Sequence, residues 1–173
     1  MVPYKYLLDT NCFIESMKRF YRFDIEPGRW YWRTLPVYAE NGLIMSIDKV
    51  WDEIKVKEDM LKEWVKKNFS LYFVSTNDEE TQEIYSEIAN WLIKTNYKKP
   101  AKDEFLNGAD PWLIAAAKSK GHVVVTLEHK NDTIRKEVPI PNVCEKFGVH
   151  YMDLFQMLKE LDGFGSHIQG DKH

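Results

Sequence analysis

Residues 107–130 read NGADPWLIAAAKSKGHVVVTLEHK, and the architecture follows from them. Asp110 opens a helical segment, with Pro111 at the first-turn position where its missing N–H costs nothing. The body that follows, WLIAAA, is apolar on nearly every side, so the helix over residues 110–118 is expected to be deeply buried. Gly121 ends it. His122 to Thr126, HVVVT, is a continuous β-branched run, which suits a strand covered on both faces. A buried helix feeding a doubly covered strand is the repeating unit of a parallel α/β sheet.

The rest of the chain repeats this alternation. Residues 4–8 (YKYLL) form a short apolar strand that ends at Asp9-Thr10-Asn11, and residues 12–20 look helical. Residues 30–40 are loosely helical, with Pro36 as a kink or restart. A short strand over 43–45 leads to Ser46 as a helix cap. Ile47, Val50, Trp51 and Ile54 then share one face. A charged helix runs to about residue 67 with Met60, Leu61, Trp64 and Val65 inward. Residues 71–74 make a third strand. Thr76 and Glu79 form a capping box for a helix carrying Ile84, Ile88, Trp91 and Leu92. The polar segment 96–107, with Pro100, reads as a loop. A short helix over 143–147, a strand over 149–152 and a helix over 153–161 close the chain. The expected fold is therefore α/β: three-layer α/β/α with a central parallel sheet of about five strands. It forms one domain over residues 1–161, with a polar tail over 162–173.

Composition narrows the function classes. The 173 residues are 44% hydrophobic, 14% aromatic and 29% charged, values of a globular chain and not of a disordered or collagen-like one. No run approaches the ~20 apolar residues that span a bilayer, so no membrane partner is expected. Cys12 and Cys144 form no CxxC pair, and residues 1–9 lack the features of a secretion signal; a reducing cytoplasm is the expected location. The five histidines show no HxxxH spacing, and neither GxGxxG nor GxxxxGK occurs. A net charge of -3 speaks against a module that simply coats a polyanion. It is compatible with an enzyme whose carboxylates are neutralised by a cation.

Four acids occupy positions that such an enzyme would use. Ligands of parallel sheets bind beyond the carboxyl ends of strands. Asp9 follows the first strand directly, and Glu128 lies two residues past the fourth. Asp110 starts the buried helix, and Glu53 sits on the helix after the second strand. Clustered carboxylates repel and are costly to desolvate, so they persist where a cation binds. Hard oxygen donors suit Mg²⁺ or Mn²⁺ and phosphate chemistry. Each acid also has an ordinary reading: a turn residue for Asp9, a helix cap for Asp110, solvated surface charges for Glu53 and Glu128. Asp52 is an alternative to Glu53, because adjacent helical residues point about 100° apart and only one faces the site.

YLLDTN (residues 6–11), SIDKVWDEI (residues 46–54) and the stretch 107–130 together resemble the PIN domain, a fold of small metal-dependent ribonucleases and of toxins from toxin–antitoxin pairs. The resemblance spans residues 5 to about 161 and is to an uncharacterised branch with an aromatic insert near Trp30–Trp32. It implies that Asp9, Glu53, Asp110 and Glu128 form the catalytic, metal-binding set, with Thr10, Asn11, Ser46 and Thr126 in support. It also implies an RNA substrate, an antitoxin partner and a homodimer. The chain departs from the family's pattern in carrying Glu128 where many relatives have Asp, and Pro111 where Ala is usual. A DNA-directed nuclease or phosphatase using the same acids, or a non-catalytic binding module, are the alternatives.

Two groups of residues are candidates for substrate contact. Arg29, Trp30, Trp32 and Arg33 interleave aromatics with cations, a pattern that stacks and clamps single-stranded bases, or equally one in which the tryptophans pack into the core. Lys118, Lys120, Lys130, Arg135 and Lys136 flank the acidic edge and could hold phosphates, or form a solvated basic face. Setting the four acids aside takes the net charge from -3 to +1, so the charge of the whole chain does not exclude RNA.

Overall fold

The computed structural model describes residues 5–168. Five strands, β1 (Tyr6–Leu8), β2 (Ile44–Ile47), β3 (Phe73–Val74), β4 (Val123–Thr126) and β5 (Tyr151–Asp153), form one parallel sheet in the order β3-β2-β1-β4-β5. Between and after them lie α1 (Thr10–Glu15), continued by a π-helical turn (Ser16–Phe20), α2 (Gly28–Glu40), α3 (Asp48–Ile54) and α4 (Met60–Asn68). There follow α5 (Glu79–Ile93), α6 (Lys99–Asn107), α7 (Asp110–Lys120), α8 (Ile140–Phe147) and α9 (Leu154–Ile168). The architecture is the three-layer α/β/α sandwich expected from the stretch 107–130.

Burial explains the layers. The centre of the sheet is dry: Leu7, Leu8, Val124 and Val125 are buried on both faces. Helix α7 has Leu113, Ile114, Ala115, Ala116 and Ala117 all buried, because it is packed between the sheet, α5 and α8. Its alanines let neighbours approach closely, and it ends at Gly121 in the left-handed conformation (φ +67°) that glycine adopts without strain. On the other face, Phe13, Phe69, Tyr31 and Trp32 build an aromatic core with Trp64. Helix α9 joins it through Leu154, Met157, Leu158 and Leu161, one stripe at i, i+3, i+4 and i+7. Among the described residues no helix is long and apolar enough to cross a membrane.

The order of strands places the site. From β1 the chain moves outward to β2 and β3, then returns to lay β4 on the other side of β1. The strand order therefore reverses between β1 and β4, and a cleft opens beyond their carboxyl ends. Register pairs Leu8 with Val125, so Asp9 and Thr126 leave the sheet side by side.

Several local expectations are corrected. Segment 96–107 is not a loop: Pro100 lies in the tolerated first turn of α6, and Ala101 and Phe105 bury at i and i+4. Met60 is 67% exposed, because the buried stripe of α4 runs through Leu61 and Val65. Ser46 does not cap α3; it lies in β2 and its hydroxyl donates to the Leu8 carbonyl at 2.6 Å. The cap of α5 is Asp78, which accepts from the Thr81 amide, while Thr76 donates to Asp48 instead. Helix α2 runs through Pro36 without a break, and α8 starts at Ile140 with Pro141 in its first turn. Helix α9 continues to Ile168, past the expected end at 161; residue 4 of the first strand and residues 169–173 of the tail lie outside the described residues.

Candidate functional site

Asp9 is the buried corner of the site. It is 1% exposed, its backbone amide donates to the Val125 carbonyl, and its Oδ2 accepts from the Thr126 hydroxyl at 3.0 Å. The same hydroxyl accepts from the Glu128 amide at 3.1 Å. One threonine at the end of β4 thus orients one acid and fixes the backbone of a second. The Glu128 carboxylate reaches across to accept from the Ile140 amide at 2.8 Å, at the start of α8.

Glu53 is tied at both oxygens. Its Oε2 accepts from the Thr10 hydroxyl, at the start of α1, and its Oε1 accepts from the Ala109 amide at 2.8 Å, just before α7. It is a partly buried clamp between two helix starts and not a solvated charge. Asp52 points away and pairs with Lys55 at the surface. Asp110, in the first turn of α7, caps nothing, and its carboxylate accepts no hydrogen bond among the described residues.

The four acids line one pocket of about 600 Å³. Ala101, Glu104 and Phe105 of α6 form one wall, and Lys136, Glu137, Val138 and Pro139 another; Asn11 and Ile14 stand at α1. The first wall escapes the sequence reading, in which 96–107 is a loop; of the second wall only Lys136 is anticipated, as one of the basic residues flanking the acidic edge. The Ala101/Phe105 spacing behind Pro100 was the signal that would have found the first. Ser46 supports the site only indirectly, through Leu8.

Electrostatics mark the cluster as short of positive charge. Burial, then the Glu128 and Glu53 carboxylates, push Asp9 up to about 7, against the opposing pull of the Thr126 hydroxyl. Burial, then Asp9, Glu128, Glu53 and Glu104, hold Asp110 well above the usual carboxylate range. Burial also raises Glu128, with Glu137 adding to it. Hard oxygen donors, an unpartnered Asp110 carboxylate and mutual repulsion fit a divalent cation in kind. As placed, however, no three His, Cys, Asp or Glu side chains among the described residues converge on a single ion position.

The expected substrate contacts sort differently. Trp32 is 3% exposed, stacks on Phe23 and donates its indole N–H to the Tyr21 carbonyl, so it has no face for a base. Trp30 is partly buried against the core, and Arg29 and Arg33 both pair with Glu26. None of these four lines the acidic pocket. Lys118 stands over the Phe147 ring, Lys130 pairs with Glu145 and Asp132, and Arg135 binds the Asp132 and Ile134 carbonyls beside Tyr97. Only Lys136 of the basic group reaches the pocket lining.

Fold and site together define a three-layer α/β/α protein with an acidic cleft at its topological switch point. The chain belongs to the family described as a domain of unknown function (DUF4411), which it matches over residues 6–163. No curated protein matches it. Among solved structures it is similar to VapBC2 from Rickettsia felis bound to a DNA fragment from their promoter. The match has 15% identity, a TM-score of 0.48, and covers 86% of this chain and 97% of that one. At that level of likeness neither activity nor partner passes from it to this chain.

Proposed function

We propose that this chain is a Mg²⁺- or Mn²⁺-dependent endoribonuclease of PIN-like type. The observation that carries the reading is the meeting of Asp9, Glu53, Asp110 and Glu128, drawn from four separate elements, around one pocket at the switch point. Asp9, Asp110 and Glu128 would hold the metal, with Glu53 as a fourth donor or as the clamp that fixes Asp110's helix. A bound metal supplies Lewis-acid stabilisation and an activated water for phosphodiester hydrolysis. The chain's own residues do the rest. Thr126 orients Asp9, the Ile140 amide holds one oxygen of Glu128, and Thr10 and the Ala109 amide hold Glu53. Ile14 and Phe105 give the pocket apolar sides that limit water around the reacting phosphate.

The same resemblance extends the proposal to the toxin of a toxin–antitoxin pair, with an antitoxin protein as partner and a homodimer as the assembly. The test is cleavage of labelled RNA by the purified chain in Mn²⁺, with and without a chelator, beside Asp9→Asn and Asp110→Asn. Cleavage that needs the metal and is lost in both variants is the expected result. Variants that cut as well as the parent would overturn the assignment.

A further inference from the structure

We propose that Lys136 anchors a substrate phosphate at the acidic pocket, the substrate being single-stranded RNA; the inference rests on the ribonuclease reading above. Six acidic side chains line the pocket, and Lys136 is the one cation among its described lining residues. An ammonium beside that many carboxylates has every opportunity to pair. Among the described residues it forms no ion pair and no hydrogen bond, and it is exposed.

Its surroundings are fixed while its head is free. On one side the Arg135 carbonyl accepts from the Lys98 amide at 2.8 Å, and the Arg135 guanidinium is engaged. On the other side Val138 is buried, and the Ile140 amide holds Glu128 at 2.8 Å. The backbone that carries Lys136 is therefore tied to the site, and its flexible stem leaves the ammonium available. A cleft lined by six acids repels a polyanion at long range. A free, positioned point charge at its wall offsets that repulsion and gives one phosphate a place. Of the basic residues that flank this edge in the sequence, Lys118, Lys120, Lys130 and Arg135 are engaged elsewhere, and Lys136 is the one that lines the pocket, so the assignment falls on it.

The test compares the full chain with Lys136→Ala, Lys136→Arg and Lys66→Ala, the last removing an equal charge from α4. Anisotropy of a labelled single-stranded RNA decamer in Mn²⁺ gives Kd across a salt series, with the phosphodiesters replaced by phosphorothioates to slow cleavage. Lys136→Ala is expected to weaken binding about tenfold, as for one charge-assisted hydrogen bond, and to flatten the log Kd against log salt slope by about 0.7. Lys136→Arg restores most of both, and Lys66→Ala changes neither. Equal Kd and slope for parent and Lys136→Ala overturn the proposal. In parallel, cleavage of the ordinary RNA is followed. Binding that depends on Lys136 without cleavage keeps this proposal and removes the ribonuclease one; neither binding nor cleavage removes both.

Discussion

The Thr126 hydroxyl donates to Asp9 Oδ2 at 3.0 Å while accepting from the Glu128 amide, joining residues 117 positions apart at the switch point. Asp9 is buried, and this bond is among the few things that favour its ionised form. Thr126→Val keeps the shape and removes the hydroxyl. It is expected to destabilise the metal-free protein by about 1–3 kcal/mol above neutral pH, because a buried carboxylate and an amide both lose a partner. Urea unfolding at pH 8 measures it.

The raised acids make stability depend on pH in a definite direction. Asp9 in the folded chain titrates at about 7, above the 3.8 of a free carboxyl, so between those values the folded state holds more protons than the unfolded one. Stability must then fall as pH rises from about 4 to about 7, and level off beyond. At about 1.4 kcal/mol per unit, the Asp9 contribution is on the order of a few kcal/mol. Chemical denaturation of metal-free protein across this range should show the decline, and Asp9→Asn should flatten it. A curve that rises with pH through this window would refute the picture of an acidic cluster lacking a counter-charge.

Added Mn²⁺ should reverse that decline. A cation that binds only the folded site stabilises by mass action, about 2.7 kcal/mol at a hundredfold excess over Kd. The gain should be largest near pH 8, where the carboxylates are ionised, and should vanish near pH 4, where they bind protons instead. Thermal melts with and without Mn²⁺ at the two pH values test it. An equal shift at both would point to binding elsewhere on the surface.

Glu53 and Asp52 are adjacent, and the structure separates them. Glu53 accepts from Thr10 and from the Ala109 amide, joining α1 to α7, whereas Asp52 pairs with Lys55 in solvent. Glu53→Ala should cost on the order of 2–4 kcal/mol, since two donors, both on buried residues, lose their acceptor. Asp52→Ala should stay within about 0.5 kcal/mol. If the two variants unfold at the same denaturant concentration, the clamp role is wrong.

The legible parts of the fold were those where burial leaves a pattern in the residues. WLIAAA followed by HVVVT could only be a buried helix and a doubly covered strand, and both stand where expected. Strand ends were legible for the same reason, which is why Asp9, Asp110 and Glu128 could be placed near one edge. The failures are local. Pro100 and a run of lysines hid α6, because this surface helix buries only two side chains, Ala101 and Phe105, about one per turn. Ser46 and Thr76 looked like caps but spend their hydroxyls on Leu8 and Asp48, partners distant in sequence. Trp30 and Trp32 fitted either a base-stacking platform or a core, and composition does not separate the two; the partners of Trp32 do.

Trp32 therefore offers the last prediction. Its ring stacks on Phe23 at 4.5 Å, meets Trp64 edge-on at 4.7 Å, and its N–H is satisfied by the Tyr21 carbonyl. Truncation to alanine opens a cavity in an aromatic cluster and orphans that carbonyl, a loss of about 3–5 kcal/mol. Trp32→Phe keeps the rings and loses the N–H, so it should cost less. If the ring is core and not a base platform, RNA affinity of the folded Trp32→Phe protein should equal that of the parent at every salt concentration. A several-fold loss of affinity at unchanged stability would return this tryptophan to the substrate path.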